Sequence, residues 1–144
     1  MKLPGFNIFG QALQDLSGLT PTSYALTGSG AVVARGYVSG SFAGTPGASQ
    51  VIERFIFATP ATFPAGLAGS FGTAGTAATA AASFAIAKNG AAVGTMDFAA
   101  GATSATFTMA TATSVAGGDV LTIIAPAAPD ATLANLAWSL TGTL

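Results

Sequence analysis

Nine side chains charged at neutral pH carry whatever charge chemistry this chain could do: Lys2, Asp15, Arg35, Glu53, Arg54, Lys88, Asp97, Asp119 and Asp130. There is no cysteine and no histidine. That removes disulfides, thiolate nucleophiles, Cys/His metal sites and imidazole acid–base catalysis together. Two carboxylates could still act as an acid–base pair. Glu53 and Asp97 are the carboxylates expected mid-strand, and nothing in the sequence brings them together. No nucleophile elbow, phosphate-binding glycine loop or metal-ligand spacing accompanies them. The expectation is a non-enzymatic chain with no catalytic residues, metal or cofactor. Asp119 and Asp130 stand at loop-to-strand junctions, where a short carboxylate caps turn amides. Calcium would want several clustered oxygens, so turn structure is the expectation at both. Lys88 falls in a hairpin and is expected to be solvated.

The scarcity of charge has a consequence for partners. Charged residues make up 6% of the chain, against about 25% in an average soluble domain. A net charge of −1 offers no steering toward nucleic acid or anionic lipid. Hydrophobic residues make up 51% and mean hydropathy is +0.64. Such a surface must expose apolar area, which marks contact surfaces. No membrane is expected to absorb it, because no strongly apolar run reaches the roughly 18 residues of a spanning helix. The most apolar window, Thr73–Ala87, is built of Ala and Thr. Pro4 and Gly5 fall where a signal peptide would be apolar. The chain is therefore expected to be made in the cytoplasm and assembled there.

The elements that must position these residues read as all-β. Residues 1–30 hold Pro4, Gly5, Gly10, Gly18, Pro21, Gly28 and Gly30, a spacing that forbids a long helix. They predict an extended N-terminal arm with apolar anchors at Leu3, Phe6, Ile8, Phe9, Leu13 and Leu16. A single β-sandwich domain is expected over residues 31–144. Its predicted strands are 31–38, 50–58, 77–87, 92–98, 103–109, 120–125 and 132–144. Residues 40–47 and 62–69 are expected as loops. In the strongest strand, Val51, Glu53, Phe55 and Phe57 share one face and Ile52, Arg54 and Ile56 the other. Asn89-Gly90 supplies the two φ > 0 residues of a type I′ hairpin turn. About seven or eight short strands with regular turn signals predict an antiparallel sandwich or jelly roll. Phe55, Phe57, Phe84, Phe98, Phe107 and Trp138 are the expected core aromatics.

The stretch from Gln50 to Leu144 resembles a β-rich module of tailed-phage virion proteins. The residues that carry the likeness are Gln50-Val51-Ile52-Glu53-Arg54-Phe55, Thr62-Phe63-Pro64-Ala65-Gly66-Leu67-Ala68-Gly69, Ser83-Phe84-Ala85-Ile86-Ala87-Lys88-Asn89-Gly90, Val93-Gly94-Thr95-Met96-Asp97-Phe98, Ala116-Gly117-Gly118-Asp119-Val120-Leu121 and Pro129-Asp130-Ala131-Thr132-Leu133. The resemblance implies a structural part of a virion. Because the module follows only a short arm, it points to a capsid decoration (cement) protein. The alternative is a tail or head fibre module that binds a host receptor or glycan, with Phe42, Phe63 and Phe71 as its exposed aromatics.

The expected partners are copies of the chain itself, as a homotrimer or other homo-oligomer, and the major capsid protein or another virion protein. The candidate contact residues are the six arm anchors together with Arg35 and Arg54. An arginine on an apolar strand needs a partner. Arg35 could meet Glu53 across strands or a neighbouring subunit.

Overall fold

The computed structural model describes residues 35–144. The arm expected over residues 1–30, with its six anchors, lies outside the described residues. Within the described residues ten strands follow one another: β1 (Arg35–Phe42), β2 (Val51–Ile56), β3 (Ala61–Phe63), β4 (Phe71–Thr76), β5 (Ala82–Lys88), β6 (Ala91–Phe98), β7 (Ala105–Met109), β8 (Thr113–Val115), β9 (Val120–Ile124) and β10 (Ala134–Thr143). Among the described residues one 3-10 turn, Ala65–Leu67, interrupts them. The strands form two five-stranded antiparallel sheets. Sheet A has the order β1-β10-β3-β8, with β4 also paired to β10; sheet B has the order β2-β9-β5-β6-β7. The pairing is nested. β1 lies on β10, β2 on β9 and β3 on β8, with the β5–β6 hairpin innermost. This is the winding of a jelly roll, in which a long hairpin wraps into two facing sheets.

Period-2 alternation decides what each strand buries. Phe84 and Ile86 of β5, Met96 and Phe98 of β6, Leu121 and Ile123 of β9, and Leu136, Trp138 and Leu140 of β10 all turn inward and are buried. Leu67 of the 3-10 turn and Leu133 complete the packing. Phe84 meets Phe98 edge-on at 6.1 Å, and Phe57 meets Phe63 at 5.8 Å. The expected core aromatics are buried except two: Phe107 is partly buried against the core, and Phe55 is 37% exposed at the sandwich edge.

Four strand expectations change. β1 continues through Phe42, where residues 40–47 were expected to loop, because Gly40 and Phe42 pair with Trp138 and Leu136. The expected loop at 62–69 contains the end of β3 and the 3-10 turn. β4, which pairs with β10, lies in a Gly/Thr stretch without a strand signal. The long strand expected over 77–87 is broken at residues 77–81. There the Asp130 carboxylate accepts the backbone N–H of Thr79 and Ala80, at 3.0 and 2.9 Å. It thereby takes donors a ladder would use.

Trp138 sits between two glycines in register, Gly40 on β1 and Gly72 on β4. Its indole N–H is buried without a hydrogen-bond partner among the described residues.

Candidate interaction surface

The outward face of sheet B carries mostly short side chains. Its register sets Val51, Ile124, Ala85, Thr95 and Thr108 in one row across all five strands. Arg54, Thr122 and Ala87 form the row on one side. Ser83, Asp97 and Thr106 form the row on the other. Ile56 lies opposite Val120 beyond Arg54. A bulge between Val51 and Glu53 keeps Val51 outward and lets Ile52 pack against the core. Val51 is 49% and Ile56 63% exposed.

Arg54 and Asp97 are the charges of this face. Arg54 is exposed. The only ion pair among the described residues is Lys88–Asp119, so Arg54 has no carboxylate partner there. Asp97 is half-buried and held by hydroxyls. Ser83 Oγ donates to one carboxylate oxygen and Thr95 Oγ1 to the other. These two fix its orientation and leave lone pairs free. Glu53 and Asp97 do not come together: two strands separate β2 from β6, and Glu53 turns inward while Asp97 turns outward.

A second surface is the seam where edge strands β1 and β2 face each other. The Glu53 carboxylate fills the space beside Gly40, where a Cβ would collide with it. It accepts the Arg54 backbone N–H at 3.0 Å. An inward-pointing charge that caps an edge donor protects a sheet edge from foreign strands. This places Glu53 against Gly40, not opposite Arg35; Arg35 opens β1 in register with Thr143. Further along, Gly36, Val38, Phe55, Phe57, Phe63 and Leu144 line an apolar slot of about 160 Å³. It is smaller than the roughly 300–1,000 Å³ of small-molecule sites.

On sheet A, Phe71 is 76% exposed. It borders a shallow hollow lined by Gly72, Thr73, Ser104, Ala137, Trp138 and Ser139. Of the three aromatics expected at a glycan site, it alone is free. Phe63 is 2% exposed and Phe42 packs against the core.

The remaining carboxylates organise turns. Asp130 gathers six donors: the hydroxyls of Thr132 and Thr79 at 2.6 and 2.7 Å, and the N–H groups of Thr132, Ala80, Thr79 and Leu133 at 2.8–3.0 Å. The two hydroxyls, and then the amides, hold its carboxyl far below the usual carboxylate range. A carboxylate ringed by donors has no lone-pair partners around it to share a cation, so it is a turn clamp. Asp119 accepts the Ala116 N–H and the Asn89 amide, both at 2.8 Å, and pairs with Lys88 Nζ at 3.0 Å. In that order these partners lower its pKa to about 2. Lys88 is thus engaged rather than merely solvated, since it also donates to the Ser114 carbonyl at 2.8 Å.

The sequence reading put Ile56 on the face of Arg54 but set Val51 on the opposite face, which the bulge reverses, and missed Asp97 and Ile124 as further neighbours. The alternation of 51–57 contained part of that signal; the register that joins β2 to β6 did not. Among the described residues no group of three or more His, Cys, Asp or Glu could hold a metal ion. No family model, curated protein or solved structure matches the chain.

Proposed function

We propose that this chain is a non-enzymatic structural protein of a tailed-phage particle, a capsid decoration protein that assembles with copies of itself and binds the shell. The observation that carries this reading is the character of the outward sheet faces. They are built mostly of Ala, Ser and Thr around Ile124, with Val51, Ile56 and Phe71 exposed and little charge. Faces of this kind pack closely over area and offer few side chains for reading a small ligand. Apolar area buried between subunits stabilises by about 25 cal/mol per Å² before association costs, and symmetric repetition multiplies it. Two further points support the reading: the jelly-roll winding, which viral shell proteins also use, and the likeness of residues 50–144 to phage virion modules. Fold alone does not imply function, so the test is binding. Purified chain incubated with shells of the phage that encodes it is expected to pellet with them at a saturating, fixed ratio. Chain that stays in the supernatant at every concentration contradicts the reading.

One observation favours a second reading, a fibre module that binds a host glycan. Phe71 stands over a hollow that holds Thr73, Ser104 and Ser139, an aromatic platform beside hydroxyls. Glycan-array binding that disappears in Phe71→Ala supports it; an array without signal opposes it.

A further inference from the structure

The outward face of sheet B is self-complementary in charge, and we infer that it is a two-fold contact between two copies of this chain, with Arg54 of each copy paired to Asp97 of the other. This rests on the reading that the chain assembles with copies of itself, and names the surface. One cation and one anion stand in opposite corners of an otherwise uncharged face. From β2 to β6 is three strand spacings, about 14 Å across the sheet. From the Arg54 row to the Asp97 row is four residues along β5, Ala87 to Ser83, or about 13 Å. The midpoint of that diagonal falls between Ile124 and Ala85, which are register partners. A two-fold axis lying in the contact plane, through that midpoint and perpendicular to the diagonal, exchanges the two corners. It sets Arg54 against the partner's Asp97 twice.

The same operation turns the strands of one sheet nearly at right angles to those of the other, one of the two ways in which sheets pack face to face. Ile124 and Ala85 occupy the centre, with Thr122, Ala87 and Thr95 around them, where sheets approach to about 10 Å, and the exposed Val51 and Ile56 flank the arginine corner. The hydroxyls of Ser83 and Thr95 aim the Asp97 carboxylate before any partner arrives, which lowers the ordering cost of the pair. Edge-to-edge pairing through β2 competes poorly. A two-fold perpendicular to the sheet that centres the strand on Arg54 sets like charges side by side, and Glu53 already caps the edge.

Sedimentation velocity of the full-length chain tests this. Wild type is expected to show a concentration-dependent two-fold association step. Arg54→Asp and Asp97→Arg are each expected to weaken that step by at least about tenfold, because each sets like charges face to face. The double variant R54D/D97R is expected to restore it. Ala85→Lys, beside the axis with both native charges kept, is expected to weaken it as well, and it covers the case in which Asp97→Arg fails to fold. A wild type that shows no two-fold step up to millimolar concentration overturns the inference. So does association indifferent to Arg54→Asp and Ala85→Lys. Either failure is separable from that of the decoration reading, because shell binding is read independently by co-pelleting.

Discussion

Trp138 lies against Gly40 across the β1–β10 pair: a Cβ on Gly40 would stand 2.7 Å from indole Cζ2. The missing side chain admits both the indole and the Glu53 carboxylate into the seam between the sheets. Gly40→Ala is therefore expected to cost about 1–3 kcal/mol, the range of overpacked cores. Gly36→Ala is the control. Its Cβ would meet only the flexible end of Leu144, at 3.0 Å, and the expected change is within about 0.5 kcal/mol. Urea unfolding midpoints separate the two, and equal effects would contradict the packing described.

Low pH should reach the turns before the core. Asp130 and Asp119 both bind protons less readily folded than unfolded. Their stabilisation is fully present above the unfolded carboxylate pKa of about 3.9 and is lost as pH falls through the folded values. For Asp119 that loss runs down to about 2; for Asp130 it extends lower. Thermal midpoints are expected to hold from pH 7 to pH 5 and to fall steadily below pH 4. Asp130→Asn should melt lower than wild type at pH 7, with the difference narrowing in acid. A constant difference across that range would show that Asp130 does not act as an ionised clamp.

The β5–β6 hairpin offers a local test. Asn89 has φ 50 and Gly90 φ 86, the pair of left-handed residues a type I′ turn requires. Asn89 also accepts the Val120 N–H at 2.9 Å and donates to Asp119 at 2.8 Å. Asn89→Ala is expected to cost about 1–3 kcal/mol through strain and lost bonds. Asn89→Gly relieves the strain and should cost less, about 0.5–1.5 kcal/mol. Chemical denaturation of both variants checks the order.

The phenylalanines separate packing from binding. Phe63→Ala is expected to cost about 3–5 kcal/mol, whereas Phe71→Ala should stay within about 0.5 kcal/mol. A loss of surface binding in Phe71→Ala without a loss of stability assigns Phe71 to a contact.

Legibility in the sequence followed side-chain contrast. Residues 51–57 are β-branched and aromatic side chains around an adjacent Glu53-Arg54 pair, so both the strand and the opposite facing of those two neighbours could be read directly. Asn89-Gly90 announced its turn because few other pairs tolerate two positive φ values. Phe71–Thr76 is mostly small residues with no face to compare, and only pairing with β10 makes it a strand. The break at 77–81 was hidden for a different reason. It is imposed by Asp130, far along the chain, through hydrogen bonds that no local pattern encodes. The surface that joins Arg54 to Asp97 was hidden likewise, since it exists only once β9 and β5 lie between them.

Electron microscopy of phage particles made with and without the gene for this chain tests the decoration reading most directly. The expected result is a regular outer layer of density on the shell that is present with the gene and missing without it, with the chain found in many copies per particle. Particles that look the same in both preparations, and contain none of the chain, would contradict it.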